Sequence, residues 1–117
     1  MTRDEILALE AGHSLNVRVS EEIMGNKVVS DAILGETEIH TTNQGEPVYG
    51  RLTPYSEDLS DAQLVIARMA NLGYTEAKLW ENEERPEVIC RAALLTILDK
   101  NKEKKNVQKR TKLRIVK

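Results

Sequence analysis

Between Pro86 and Leu98 the chain sets Val88, Ile89, Ala92, Leu95 and Ile97 at helical spacings. They follow a proline suited to a first helical position, with Glu87 beside it at the positive helix end. So apolar a helix has to be buried, and the spacing predicts a central helix around which the other elements pack. Arg91 interrupts this longest apolar run, which falls well short of the roughly 20 residues a membrane span needs. The packing around it must come from aliphatic side chains, because aromatics are 3% of the residues and Phe is absent. A chain of 117 residues is expected to form one domain with one core.

Three further helices are legible. Thr2-Arg3-Asp4-Glu5 has the form of a capping box, opening a short helix through Ile6 and Leu9 that Gly12 ends. Leu15, Val19 and Ile23 form one stripe of a second helix from about Ser14 to Met24, followed by Gly25 as a left-handed terminator. Ser60-Asp61-Ala62-Gln63 repeats the capping pattern ahead of a third helix, with Ala62, Ile66 and Met69 on its apolar face and Gly73 at its end.

From Lys27 to Arg51 the pattern changes to short runs separated by turn residues, which predicts strands near 27–30, 38–40 and 48–52. Thr41 to Glu46 reads as an exposed hairpin loop. Tyr74 to Glu81 alternates and predicts a half-buried strand carrying Trp80, and the alternation from Lys109 to Lys117 fits an added edge strand. The expected fold is α+β: a small antiparallel sheet flanked by helices as an α/β/α sandwich over residues 1–100, followed by a basic extension over residues 101–117.

The net charge of −2 hides an asymmetry. Residues 101–117 hold eight Lys or Arg and one acid, and residues 1–100 hold nine and eighteen. Such a basic end attracts nucleotides, nucleic acid or an acidic protein face, and it can equally pair with the acidic body. A single cysteine, Cys90, allows no internal disulfide and agrees with a reducing compartment, and the charged amino terminus lacks an apolar leader. A cytoplasmic protein is expected.

Met24-Gly25 after a short acidic helix, Pro54-Tyr55-Ser56-Glu57-Asp58-Leu59 leading into a helix, and Pro86-Glu87-Val88-Ile89-Cys90-Arg91-Ala92-Ala93-Leu94-Leu95 follow one another in that order. In this combination, over residues 1–99, the sequence resembles the phage ABA sandwich domain family. The resemblance implies helices on both faces of a small antiparallel sheet. It also implies the activity of the family's phage anti-defence members: sequestering a cyclic ADP-ribose or cyclic nucleotide immune signal without degrading it. The segment between Trp80 and Pro86 is shorter than the usual pattern, and the basic extension is additional.

A phosphate-rich signal needs fixed cations and stacking surfaces. Arg51, Arg110 and Arg114 offer guanidinium forks for phosphate oxygens, and Tyr49, Tyr55 and Trp80 offer rings for a base. Asn82 can read a base or ribose edge. Each also has a plain structural reading: solvated cations, core aromatics and a turn asparagine. No catalytic set is evident, since His13 and His40 fall in different elements and outside nucleophile or zinc motifs, and no phosphate-loop motif occurs. Neither enzyme activity, a cofactor nor a metal is expected. The leading expectation, which rests on the resemblance, is a homo-oligomeric cytoplasmic binder of a cyclic nucleotide or ADP-ribose-derived signal in an infected bacterium. The alternative is a phage structural or protein-interaction module without a small-molecule ligand. Nucleic-acid binding ranks lower, because residues 102–117 have no interleaved aromatics and the body is acidic.

Overall fold

Thr2 Oγ1 accepts the Glu5 amide at 3.2 Å and caps the first helix, α1 (Arg3–Ala8), in the computed structural model of the protein. The structure describes residues 2–33 and 35–116, with the side chains of residue 31 and of residues 102–116 outside the description. After α1 come α2 (His13–Glu22), β1 (Lys27–Asp31), β2 (Gly35–Thr41), β3 (Pro47–Arg51), α3 (Leu59–Asn71), a 3-10 helix (Thr75–Trp80) and α4 (Pro86–Val116). The fold is α+β, a three-stranded antiparallel sheet in the order β1-β2-β3 with helices packed against it.

The early turns of α4 are the centre of the core, as the apolar spacing predicts. Ile89, Cys90, Ala93 and Leu94 are buried there, with Ile6 of α1, Leu15 and Val19 of α2, Ile23 just after it, and Val65 and Met69 of α3. Each fully buried aliphatic side chain of this kind contributes about 1.5–3 kcal/mol against exposure. Arg91 turns away from this core, and its Nε donates to the Leu9 carbonyl at 2.7 Å, tying the end of α1 to α4. No helix among the described residues is long and apolar enough to cross a membrane.

Three expectations are corrected. α3 begins before Ser60: Asp58 is its cap, with a carboxylate oxygen accepting the Ser60 amide at 2.8 Å. Tyr74 to Glu81 forms no strand. A 3-10 helix, with three residues per turn, brings Tyr74, Ala77 and Trp80 onto one face against the core and leaves Leu79 80% exposed. The basic segment is not an edge strand either, because α4 continues through Val116. An already nucleated helix extends readily through Lys, Arg, Glu and Gln, and no Gly or Pro follows Pro86 to stop it.

Candidate functional site

Alternation along β2 sends Glu38 and His40 to one face of the sheet, and the antiparallel register sets Gly50 and Val48 of β3 opposite them. Gly50 has no side chain to lay over Glu38, and a Cβ built there would meet open space. The sheet therefore opens at this point into a groove of about 370 Å³, walled on the helical side by Met24, Asn26, Tyr55 and Arg68. That volume lies within the range of small-molecule sites.

Glu38 forms the floor. It is 7% exposed and accepts five hydrogen bonds. One carboxylate oxygen takes the Thr53 amide at 2.6 Å and the Thr53 hydroxyl at 2.5 Å. The other takes the Ser20 hydroxyl at 2.5 Å, the Tyr55 hydroxyl at 2.9 Å and the Asn26 amide nitrogen at 3.0 Å. Burial pushes its pKa up, but the donors from Ser20, Thr53 and Tyr55 outweigh it and hold the group below the ordinary glutamate value. Glu38 is thus an ionised carboxylate whose lone pairs are already engaged. Burial first, and the neighbouring Glu38 next, push the Tyr55 phenol up to about 12.

A second network fixes the loop that supplies Thr53 and Tyr55. The Ser56 amide and hydroxyl both donate to Asn16 Oδ1, at 2.8 and 2.6 Å, and the Gly12 amide donates to Ser56 Oγ at 2.9 Å. The segment Pro54–Asp58, conspicuous in the sequence, is by these bonds pinned to α2.

The cationic wall is Arg68 of α3. Its Nε donates to the Ile23 carbonyl at 3.2 Å, and it is half-buried. Gly25, at φ 74°, makes the left-handed exit from α2 that brings the chain past this guanidinium, and a Cβ there would stand 3.6 Å from its terminal nitrogen. Among the described residues no carboxylate lies within ion-pair distance of Arg68.

The residues singled out in the sequence divide between places. Tyr49, Arg51 and Tyr55 meet at this groove. Tyr49 is 65% exposed, and alternation puts it and Arg51 on the opposite sheet face from Glu38, so they form the rim of the edge strand. Tyr55 is buried, its hydroxyl committed to Glu38. Trp80 is half-buried against the core, and Asn82 is exposed in the turn after the 3-10 helix, so neither lines the groove. Arg110 and Arg114 belong to α4, and their side chains lie outside the described residues. Sequence reasoning missed Asn26, Glu38, His40 and Arg68. The spacing Glu38-Ile39-His40 on a strand was the one available signal, since it places both polar groups on one face.

A second, more apolar groove of about 470 Å³ runs between α3 and the 3-10 helix, lined in part by Ile66, Ala67, Ala70, Tyr74 and Ala77. It is larger, and its polar lining residues, Gln63, Thr75, Lys78 and Glu81, include no arginine or histidine. Among the described residues no cluster of three or more His, Cys, Asp or Glu is placed to hold a metal ion. Comparison of the chain with protein families, curated proteins and solved structures finds no match.

Proposed function

We propose that the protein binds and sequesters a phosphate-bearing nucleotide signal, of the cyclic nucleotide or cyclic ADP-ribose type, without converting it. The observation that supports this best is Arg68, a half-buried guanidinium on a groove wall, anchored through Nε and lacking a carboxylate partner among the described residues. A guanidinium in that state suits a planar oxyanion, which it meets with paired donors. Arg51 adds a second positive charge at the rim, and the exposed Tyr49 ring offers a stacking surface on the same strand. The saturated Glu38 offers no free lone pair to a water nucleophile, which favours capture over hydrolysis.

Such capture suits a phage protein acting in the cytoplasm of an infected bacterium, the setting that the resemblance to the phage ABA sandwich family implies. On this reading a second copy closes the open groove, and Arg110 and Arg114 serve a neighbouring subunit. The test is thermal unfolding against cyclic ADP-ribose isomers, cyclic dinucleotides and cyclic trinucleotides, with the ligand recovered afterwards. A shift of several degrees with one class, lost in Arg68→Ala and with the ligand released intact, is the expected result. No shift with any of them removes the reading.

A second reading, a protein-interaction module, is favoured by the groove between α3 and the 3-10 helix and by Leu79 of that 3-10 helix, which is 80% exposed. It predicts no response to the nucleotide panel.

A further inference from the structure

His40 belongs to no nucleophile or zinc motif, yet its hydrogen bond to Asn26 beside the groove floor bears on which of its nitrogens carries the proton. An ionised carboxylate only accepts hydrogen bonds, so the Asn26 side-chain atom 3.0 Å from it must be the amide nitrogen. The same nitrogen lies 3.2 Å from Ser20 Oγ. Turning the amide over would set its oxygen against the carboxylate, so Asn26 Oδ1 is held facing the other way, 3.3 Å from His40 Nδ1. A carbonyl oxygen also only accepts, and a neutral imidazole carries one proton; that proton therefore sits on Nδ1, and Nε2 keeps its lone pair.

His40 is exposed and lines the groove, and Nε2 has no partner among the described residues. The groove then offers an acceptor at His40 Nε2 on the Glu38 face of the sheet, with the terminal nitrogens of Arg68 on its helical wall and Arg51 at its rim. A ligand meeting both must carry a hydroxyl or amino donor together with an anionic group.

We infer that Glu38, acting through Asn26, is a positioning residue that holds His40 as the Nδ1–H tautomer, and that His40 Nε2 is the acceptor by which the groove selects ligands bearing a sugar hydroxyl or base amino group next to a phosphate. The inference rests on the nucleotide reading for its ligand and on the hydrogen-bond chain for its tautomer, and the two parts are separable. A histidine side chain free in water favours the Nε2–H tautomer, so the assignment is measurable without any ligand.

The first measurement is long-range proton–nitrogen correlation on the full chain with labelled histidine, at a pH where imidazole is neutral. His40 is expected to show a protonated Nδ1 and a bare Nε2 in the wild type, and to revert toward the ordinary tautomer in Asn26→Ala. His13, paired instead with Glu36 at 3.8 Å, is the internal control and should not change between the two proteins. A wild-type His40 with its proton on Nε2 overturns the positioning role.

The second measurement is calorimetric binding of ADP-ribose, which carries hydroxyl and amino donors, and of pyrophosphate, which carries the charge alone. His40→Ala should weaken ADP-ribose about tenfold and leave pyrophosphate unchanged, the loss of one hydrogen bond at a site that keeps its cations. Equal losses for both probes overturn the acceptor role. If the wild type binds neither probe, the ligand half of the inference falls with the nucleotide reading, and the tautomer measurement still decides the positioning half on its own.

Discussion

Tyr55 gives its hydroxyl to Glu38 across 2.9 Å, joining the loop ahead of α3 to the middle strand of the sheet. Since Glu38 collects four other donors at the same place, the two residues should respond differently to mutation. Tyr55→Phe removes one of five bonds and should cost about 1 kcal/mol. Glu38→Ala strands several buried donors at once and should cost about 3 kcal/mol, read from urea unfolding with the slope unchanged. A loss in Glu38→Ala no larger than in Tyr55→Phe would mean that the network does not hold the groove floor.

The same pair sets opposite pH limits. The folded Glu38 has a lowered pKa, so its contribution is complete above the unfolded glutamate value of about 4.3 and is lost as pH falls through the folded value. Wild-type stability should therefore drop more steeply on acidification than that of Glu38→Gln. Tyr55 is raised to about 12, so its contribution is present below the unfolded tyrosine value of about 10 and disappears as pH climbs toward 12. Tyr55→Phe should flatten that alkaline decline, and parallel curves in denaturant midpoints across pH would contradict the assignment.

Cys90 is fully buried on α4, and burial first, then the nearby Glu87 charge, push its thiol up to about 12. A disulfide-forming thiol reagent should leave the native protein unmodified at neutral pH and react at the rate of unfolding once urea is added. Prompt stoichiometric reaction in buffer would show that the centre of the core opens.

Capping provides a local test. Asp58→Ala should cost about 1 kcal/mol, whereas Ser60→Ala, which keeps the amide that Asp58 receives, should be nearly neutral. The reverse order in thermal melts would restore Ser60 as the cap.

What was legible in the sequence followed from short-range rules. The first and last helices announce themselves through Thr2 and Pro86, and the strands through the turn residues between them, because caps and turns act over three or four positions. The segment from Tyr74 to Glu81 misled because eight residues hold too few repeats to separate period two from period three; Tyr74, Ala77 and Trp80 fit the latter. The alternation beyond Lys109 was outweighed by the helix already running into it. Tyr49, Arg51 and Tyr55, singled out by residue type, line the groove, but Glu38 was not singled out, since its donors stand at positions 20, 26, 53 and 55 and nothing local brings them together.

That dispersal has a kinetic side. The five bonds to Glu38 arrive from α2, from the turn ahead of β1 and from the segment ahead of α3, so the carboxylate is relieved only when all three have docked. A chain with the sheet formed but one of these pieces absent carries the desolvation of a charge without its full compensation. The groove wall should therefore assemble and come apart as a single cooperative unit, late in folding and with no stable half-built form, and amide exchange at Thr53 should follow opening of that whole unit.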